Sequence, residues 1–162
     1  MTHEQLNADI AKYHGMVFRL AFSCIGNRFD AEDVVQEVFI RLYRQNKMFS
    51  NDDHKKAFLI RVAVNICKDM QKSAWFKRRA PLDESIPSRD NINENESVLE
   101  EYIKELKPNY RAVVFLHYYE GYTTAEIAKM LRIPESTVTT RLSRARNQLK
   151  TQLITNKEAY SL

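Results

Sequence analysis

Residues Thr123–Arg146 read TTAEIAKMLRIPESTVTTRLSRAR, a pattern that predicts two short helices joined by a tight turn. Thr123 and Glu126 have the spacing of a capping box, which sets the start of the first helix. Pro134 suits the first position of the second helix, where no amide hydrogen is needed. The stretch therefore predicts a helix-turn-helix unit near the C-terminal end of the sequence.

The second helix of this unit has two different faces. Its predicted buried positions follow helical spacing and are Val138, Leu142, Ala145 and Leu149. The opposite face carries Ser136, Thr137, Thr139, Thr140, Arg141, Ser143 and Arg144. Short hydroxyl side chains can approach base edges and phosphates, and arginines bind guanine or phosphate. The pattern favours a reader of the DNA major groove over a helical hairpin with a merely solvated basic face.

Composition restricts the fold to helical domains. The 162 residues suffice for one ordinary domain or two small ones, and 44% of them are hydrophobic. The sequence has 3 Gly and 4 Pro and little β-branched alternation, which predicts an all-α fold. A net charge of +4 permits nucleic-acid binding without proving it. No apolar run approaches the roughly 20 residues of a membrane span and no signal peptide is evident, so we expect a cytoplasmic protein without membrane insertion.

The residues that commonly carry enzyme chemistry show no such pattern here. Cys24 and Cys67 lie in apolar helical contexts and are predicted to be buried, reduced thiols. The four histidines lack the spacing of metal ligands. Nucleophile, phosphate-loop and dinucleotide motifs are not found. We expect no catalytic residues, metal, cofactor or small-molecule substrate, and thus no enzyme.

Three helices are predicted in the N-terminal half. The first is capped by Thr2 and Gln5 and ends near Ile25, before Gly26. Asp30 is predicted to cap the second helix, which would run from Ala31 to about Lys47. The third would run from His54 to about Arg78 and carry an outer polar ridge of Arg61, Asn65, Lys68, Asp69 and Lys72. The loop Phe49–Asp53 joins these two helices and carries one exposed-looking aromatic ring.

The composition changes at Ala80. Residues 80–97 read APLDESIPSRDNINENES, with five acidic residues against Arg89 alone, and predict an extended acidic linker. We therefore divide the chain into a helical domain at 1–79, a linker at 80–95 and a second helical domain at 96–155. The second domain would begin with helices from Glu96 to Leu106 and from Pro108 to Gly121.

Aromatic and cationic residues adjoin one another before the linker. Trp75 and Phe76 lie among Lys72, Lys77, Arg78 and Arg79, a mixture suited to stacking on unpaired bases. The alternative is that Trp75 closes the core while the cations are solvated. Composition leaves these two interpretations about equal.

Two separate motifs resemble the same family. The run Asp30–Phe39, DAEDVVQEVF, resembles a signature of the extracytoplasmic-function (ECF) group of bacterial RNA polymerase sigma factors, in the sigma-70 family. The C-terminal half resembles the same group at Leu106-Lys107-Pro108, Tyr119-Glu120-Gly121, Glu126-Ile127-Ala128, Ile133-Pro134 and Arg141–Arg146. The motifs occur in the family's order and cover most of the chain outside the linker and the tail.

The resemblance implies a role for each domain. The N-terminal domain would be sigma region 2, and its second helix would dock on the β′ clamp coiled coil of core RNA polymerase through Asp33, Gln36, Glu37 and Arg41. The melted −10 promoter element would be held by Phe49, Ser50, Asn51, Arg61, Asn65, Lys68 and Lys72. The C-terminal domain would be region 4, reading the −35 element through Ser136, Thr137, Thr139, Thr140, Ser143 and Arg144. The helix from Pro108 and the turn before Thr123 would meet the polymerase β flap.

The resemblance also implies partners and leaves two alternatives, of which a helical protein-interaction adaptor does not account for the basic recognition face. Promoter DNA and an inhibitory anti-sigma factor are expected partners. The anti-sigma factor could be a soluble or a membrane-bound protein. Thr139 and Thr140 replace a basic residue and a serine that relatives often carry, so the −35 preference is expected to depend less on charge. The other alternative is a helix-turn-helix regulator that binds DNA without polymerase, but it does not account for the acidic and apolar Asp30–Phe39 helix.

Overall fold

The computed structural model describes residues 1–73 and 102–160, and all regular structure in these two ranges is helical. The N-terminal part contains α1 (His3–Ile25), α2 (Arg28–Arg44) and α3 (Asp52–Lys72). After a helical turn at 102–105, the C-terminal part contains α4 (Pro108–Val114), a π-helical segment (Phe115–Tyr119), α5 (Thr124–Leu131) and α6 (Glu135–Tyr160). The predicted all-α fold of two small helical domains is confirmed. The predicted linker and Trp75 lie outside the described residues.

Helices α1 to α3 pack against one another as a three-helix domain. Their apolar residues recur at helical spacing and meet in one core, which includes Val17, Leu20, Val34, Val38, Leu42, Leu59 and Ile60. The start of α1 is held by the predicted capping box of Thr2 and Gln5. Its end is set by Gly26, which adopts the left-handed conformation at φ 76° that glycine tolerates without strain.

The predicted starts of α2 and α3 were wrong. Asn27, not Asp30, caps α2, because its side-chain oxygen accepts a hydrogen bond from the backbone N–H of Asp30 at 3.1 Å. Asn51 caps α3 in the same way, accepting from the N–H of His54 at 2.8 Å. Each asparagine lies earlier than the predicted boundary. The first helical turn therefore contains Asp30 in α2 and Asp52 and Asp53 in α3, where these carboxylates complement the helix dipole.

The predicted ends of these two helices also shift. Helix α2 stops at Arg44, before the predicted Lys47. Helix α3 stops at Lys72, because Ser73 adopts an extended conformation and its hydroxyl donates to the carbonyl of Met70 at 2.8 Å. The prediction of a helix to Arg78 was therefore wrong.

The helix-turn-helix forms where the sequence predicts it. Thr123 and Glu126 make both hydrogen bonds of the capping box at the start of α5. Pro134 stands just before α6, not at its first position, since its carbonyl accepts from the N–H of Val138 at 3.3 Å. Leu149 is only half-buried, contrary to the prediction, because it borders an open groove. Helix α6 continues to Tyr160, beyond the predicted limit of the domain.

The two domains contact each other directly. Helix α4 and the π-helical segment pack on α1, while α4 and α5 also contact α3. The second domain has its own buried residues, which include Leu106, Val113, Leu116, Ile127, Val138 and Leu142. Among the described helices none combines the length and the apolar character that a membrane span requires.

Candidate nucleic-acid interface

The predicted −35 residues share one open face of α6. Ser136, Thr139, Thr140, Ser143 and Arg144 are exposed, and Thr137 is half-buried. The opposite face buries Val138, Leu142 and Ala145 against the rest of the domain. The hydroxyl of Thr139 donates to the helix backbone at 3.0 Å, so only its lone pairs stay available to a base or an amino group.

Cations concentrate beside this face. A hydrogen bond with Arg144 lowers the pKa of Tyr110, and the charges of Arg144, Lys107 and Arg141 act in the same direction. Three positive side chains therefore surround one phenol at the junction of α4 and α6. A phosphate group approaching α6 would meet this positive corner, which suits a DNA backbone.

The turn of the helix-turn-helix is sharp because Arg132 occupies the left-handed region at φ 56°. Arginine has a Cβ, so this conformation costs free energy that glycine would not incur. Ile133 closes the turn, with its N–H bonded to the carbonyl of Ala128 at 3.1 Å. This geometry orients α6 relative to α5.

The predicted −10 loop is built on the N-terminus of α3. Phe49 is half-buried, not exposed as expected, because its ring packs on Phe58 and on the edge of His54, each at a centroid distance of 5.3 Å. The hydroxyl of Ser50 lies 3.2 Å from Nδ1 of His54. Asn51 uses its side chain as the helix cap. The loop is thus held in one shape, with the Ser50 and Asn51 side chains exposed.

The remaining predicted −10 residues follow one another along α3. Asn65, Lys68 and Lys72 are exposed, and Arg61 is half-buried. Burial lowers the pKa of Arg61, and the nearby guanidinium of Arg132 lowers it further. The structure thus places a cation of the first domain beside a cation of the helix-turn-helix turn.

Clefts between the two domains bring these residues together. One cleft of about 700 Å³ has Ser50, Asn51 and Arg61 on one side, and Tyr122 and Arg132 on the other. A second cleft, of about 590 Å³, is lined from the first domain by Asn65, Lys68 and Lys72, and from the second by Lys107 and Arg141. Most of the predicted −10 surface therefore faces the second domain.

The predicted polymerase-binding residues form an outer face of α2. Asp33, Gln36 and Arg41 are exposed, and Glu37 accepts a hydrogen bond from Arg41 at 2.8 Å. The sequence analysis missed that Phe29, Ile40 and Tyr43 are also exposed, at 72%, 41% and 43%. The sequence could have revealed these three residues, because they do not fall at the helical spacing of the apolar residues that form the buried face of α2. Apolar side chains among charges are typical of a protein-binding surface.

An apolar groove of about 630 Å³ runs along the second domain. Its lining is Ile103, Val114, Tyr118, Tyr119, Leu149, Leu153 and Ile154, with Arg146, Lys150 and Lys157 among them. Tyr118 and Tyr119 are 55% and 64% exposed. Both rings belong to the π-helical segment, a conformation that the sequence analysis did not predict.

Arg111 was also missed. It is 8% exposed, and burial lowers its pKa. Its Nη1 lies 3.7 Å from the position that a Cβ on Gly26 would take, so the side chain reaches from α4 to the end of α1. Close to it are Cys24 and Cys67, which are buried free thiols, as predicted, and are not joined by a disulfide. A hydrogen bond with Cys24 and burial raise the pKa of Cys67 well above its usual range.

Comparison with known proteins finds a family-model match in each half of the chain. The family model described as "Sigma-70 region 2" matches residues 10–77, and "Sigma-70, region 4" matches residues 97–149. The chain is 28% identical to ECF RNA polymerase sigma factor SigW of Bacillus subtilis over 169 residues, covering 90% of this chain and 88% of SigW. It is 30% identical to ECF RNA polymerase sigma factor SigM of Mycobacterium tuberculosis over 140 residues, covering 85% and 71%.

Solved structures show the same fold. The sigma factor RpoE, in complex with the anti-sigma factor NepR from Bartonella quintana, matches with a TM-score of 0.68 at 20% identity, covering 93% of this chain and 97% of RpoE. CnrH, in complex with the cytosolic domain of CnrY, matches with a TM-score of 0.68 at 22% identity, covering 95% and 90%.

A three-helix domain followed by a helix-turn-helix domain defines a two-domain transcription factor. The chain belongs to the extracytoplasmic-function group of the sigma-70 family of RNA polymerase sigma factors.

Proposed function

We propose that this sigma factor binds core RNA polymerase through α2 and directs it to promoters that carry defined −10 and −35 elements. The observation that carries the proposal is the separation of two exposed surfaces on two domains. One is the charged and apolar face of α2, and the other is the hydroxyl and arginine face of α6. A regulator that only bound DNA would need the second surface alone.

The docking surface for polymerase is the outer face of α2. Asp33, Gln36, Glu37 and Arg41 supply its polar groups, and Ile40 and Tyr43 add exposed apolar area. We assign this mixed face to the β′ clamp coiled coil, the contact that the family resemblance implies for this helix. The apolar groove beside α6, with Tyr118 and Tyr119, fits the β flap.

The −10 element is held by α3 and the loop before it. Unpaired bases would meet Ser50 and Asn51, while Arg61, Asn65, Lys68 and Lys72 would bind the strand and its phosphates. Flipping a base out of the duplex costs a few kcal/mol, which a pre-shaped polar pocket offsets. The contacts of Phe49 with Phe58 and His54 keep this loop in shape before DNA arrives.

The −35 element is read as duplex by α6. Ser136, Thr137, Thr139, Thr140 and Ser143 would contact base edges and sugar–phosphate groups in the major groove. Arg144 adds a guanidinium that suits guanine or phosphate. With fewer charged groups than hydroxyls on this face, shape and hydrogen bonding are expected to determine much of the base preference.

Regulation would come from an anti-sigma factor that covers the polymerase-binding faces. The sigma factors RpoE and CnrH are found in complexes with such partners or their domains. The chain would act in the cytoplasm, where core polymerase is found, and would not act as an enzyme. The predicted domain limits of 1–79 and 96–155, with a linker between them, form part of this proposal.

Reconstitution with core polymerase tests the proposal. A library of promoter variants is transcribed by core polymerase with and without the protein, and transcripts are sequenced. Enrichment of paired −10 and −35 motifs only in the presence of the protein is the expected result. If the protein binds an operator tightly by itself and specific initiation does not occur, the alternative of a regulator without polymerase binding is correct.

A further inference from the structure

Cys24 and Cys67 bring two thiols together inside the protein. Cys24 lies near the end of α1 and Cys67 lies on α3, and each is 1% exposed. A hydrogen bond joins their side chains, and both are free cysteines. Both residues line the cleft of about 590 Å³ between α3 and the second domain, so a small ion can reach them from solvent. The pair is therefore enclosed but not sealed.

Arg111 is the charged neighbour of this pair. Its side chain is 8% exposed, and its Nη1 lies 3.7 Å from the position that a Cβ on Gly26 would take, close to Cys24 in the chain. Among the described residues its Nε has no hydrogen-bond partner. Burial lowers the pKa of Arg111, whereas electrostatic interactions with Cys24 and Cys67 raise it. The two thiols are therefore ionisable groups that act directly on this buried cation.

This arrangement favours a negative charge at the two sulfurs. Transfer of an unpaired charge from water into a protein interior is costly, and Arg111 lacks a carboxylate partner among the described residues. The described residues that line the cleft also include no carboxylate, while Lys68, Lys72, Lys107 and Arg141 add positive charge to its wall. An anionic group formed at the sulfurs would be stabilised by Arg111 and, less strongly, by these more exposed cations.

Charge balance determines which ion suits two thiols beside one guanidinium. Two thiolates that bind a monovalent ion form a singly negative complex, which the positive charge of Arg111 neutralises. With a divalent ion they form a neutral complex, and the buried guanidinium stays uncompensated. Soft thiolate ligands select Cu(I), whereas structural Zn²⁺ sites use four ligands. Among the described residues no group of three or more His, Cys, Asp or Glu side chains is placed to hold a metal ion.

We propose that Cys24 and Cys67 form a two-coordinate site for a soft monovalent metal ion, Cu(I), and that Arg111 neutralises the negative dithiolate complex. Each thiol releases its proton as its sulfur binds the ion, so two protons leave, two metal–sulfur bonds form and no electron is transferred. The sequence analysis expected no metal, since the two cysteines lie far apart in the chain and only the fold brings them together. The site goes beyond the proposed function and does not depend on it.

Cu(I) itself is the probe, added to the full reduced chain under anaerobic conditions. Competition with a chromophoric Cu(I) chelator, bathocuproine disulfonate, measures the affinity and the stoichiometry. We expect one ion per chain, and X-ray absorption at the copper edge should show two sulfur ligands. Because an ion that binds only the folded state stabilises it, the thermal unfolding temperature should also rise in the presence of Cu(I).

Cysteine variants test the ligands. Cys24→Ser and Cys67→Ser each leave a single thiol, and each should weaken Cu(I) binding by more than the roughly 10- to 100-fold that loss of an outer-shell partner costs at metal sites. Met48→Ser is the control, because it removes a sulfur atom from a side chain that is 94% exposed. Far-UV circular dichroism verifies the fold. Cys24→Ala and Cys67→Val, which bury no hydroxyl, repeat the test where a serine disrupts the core.

Arg111 variants test the charge. Arg111→Gln keeps a polar side chain but removes the cation, and it should weaken Cu(I) binding at least about tenfold, as loss of an outer-shell partner does. The affinity of the same variant for Zn²⁺ should not fall, since a divalent ion gains nothing from a nearby cation. Arg111→Lys restores the charge and should recover most of the Cu(I) affinity. Arg28→Gln is the matched control, because Arg28 is exposed on α2.

Several outcomes would contradict the site. If the chelator removes all Cu(I) from the wild type, or if the cysteine variants bind Cu(I) as the wild type does, the two thiols do not form a metal site. One ion per two chains would indicate a bridge between molecules and would also overturn it. Equal losses of Cu(I) and Zn²⁺ affinity in Arg111→Gln would make the role of Arg111 structural. All these measurements omit polymerase, so failure of the holoenzyme to initiate counts only against the proposed function.

Discussion

Lys55 Nζ lies 3.0 and 3.1 Å from the two carboxylate oxygens of Asp9, so a single ammonium group ties the start of α3 to α1. The side chains are only 22% and 11% exposed, so solvent screens this pair less than it screens a surface pair. The pair lies a few residues from the proposed −10 loop, which caps the same end of α3. It therefore helps to fix where that loop sits on the domain.

Removing this ammonium group should destabilise the first domain. Lys55→Met keeps the aliphatic length but leaves the Asp9 carboxylate buried without its partner. We expect a loss of about 1–3 kcal/mol in the free energy of unfolding, measured by urea denaturation. Lys12→Met is the control, because Lys12 pairs with Asp52 at an exposed site. Equal effects of both variants would mean that burial does not strengthen the Lys55 pair.

Charge reversal on α2 should weaken polymerase binding. Glu37→Lys puts an ammonium group beside the Arg41 guanidinium, where an ion pair now stands. The variant replaces a carboxylate of the proposed docking face with a cation, which should lower the affinity for core polymerase at least several-fold, while binding of free promoter DNA stays unchanged. Glu4→Lys, an exposed position on α1, is the control for net charge. Holoenzyme assembly followed by fluorescence anisotropy measures the effect, and an unaltered affinity would remove α2 from the docking surface.

Loss of Arg144 should affect only the −35 contact. Arg144→Ala removes one guanidinium from the exposed face of α6, which should cost about 1–3 kcal/mol in promoter binding by the holoenzyme. Competition binding with promoters that have or lack the −35 element measures this loss, and core binding serves as the internal control. If both promoters lose affinity equally, Arg144 does not read the −35 element.

The strained turn should tolerate glycine. Arg132→Gly removes the Cβ that disfavours φ 56° and also removes a cation that lowers the pKa of Arg61. Glycine makes the unfolded chain more flexible, so the net gain in stability should be at most about 1 kcal/mol. Thermal unfolding measures the change, and Lys129→Gly in the interior of α5 should destabilise instead. A destabilised Arg132→Gly variant would show that contacts of the Arg132 side chain stabilise the fold by more than the strained backbone conformation destabilises it.

The Cys67 thiol should make stability depend on alkaline pH. Its pKa is raised in the folded protein, above the value of roughly 8.5 expected in the unfolded chain. Stabilisation of the neutral thiol is therefore fully present below about pH 8.5 and is lost as pH rises through the folded-state pKa. We expect the free energy of unfolding to fall more steeply between about pH 8 and 10 in the wild type than in Cys67→Val. Urea denaturation at several pH values measures both slopes, and parallel slopes would contradict the prediction.

Local sequence patterns predicted most of the helices because the relevant interactions lie within a few residues. The capping boxes at Thr2 and Thr123 formed as predicted, since each joins residues three positions apart. The predicted start of a helix was wrong where two nearby residues could each serve as the N-cap, as Asn27 and Asp30 could for α2. The π-helical segment Phe115–Tyr119 also escaped prediction, because its spacing of apolar residues does not distinguish it from an α-helix.

The sequence by itself determined the helical fold, the helix-turn-helix and the family, because periodic apolar residues, caps and motifs are properties of neighbouring positions. Only the tertiary structure decided that Arg111 is buried against Gly26 and that the proposed −10 surface faces region 4. These contacts join residues far apart in the chain. The residues next to an arginine in an amphipathic helix do not indicate whether another domain will bury it. Burial of that cation depends on how the two domains meet, which packing across the whole molecule determines.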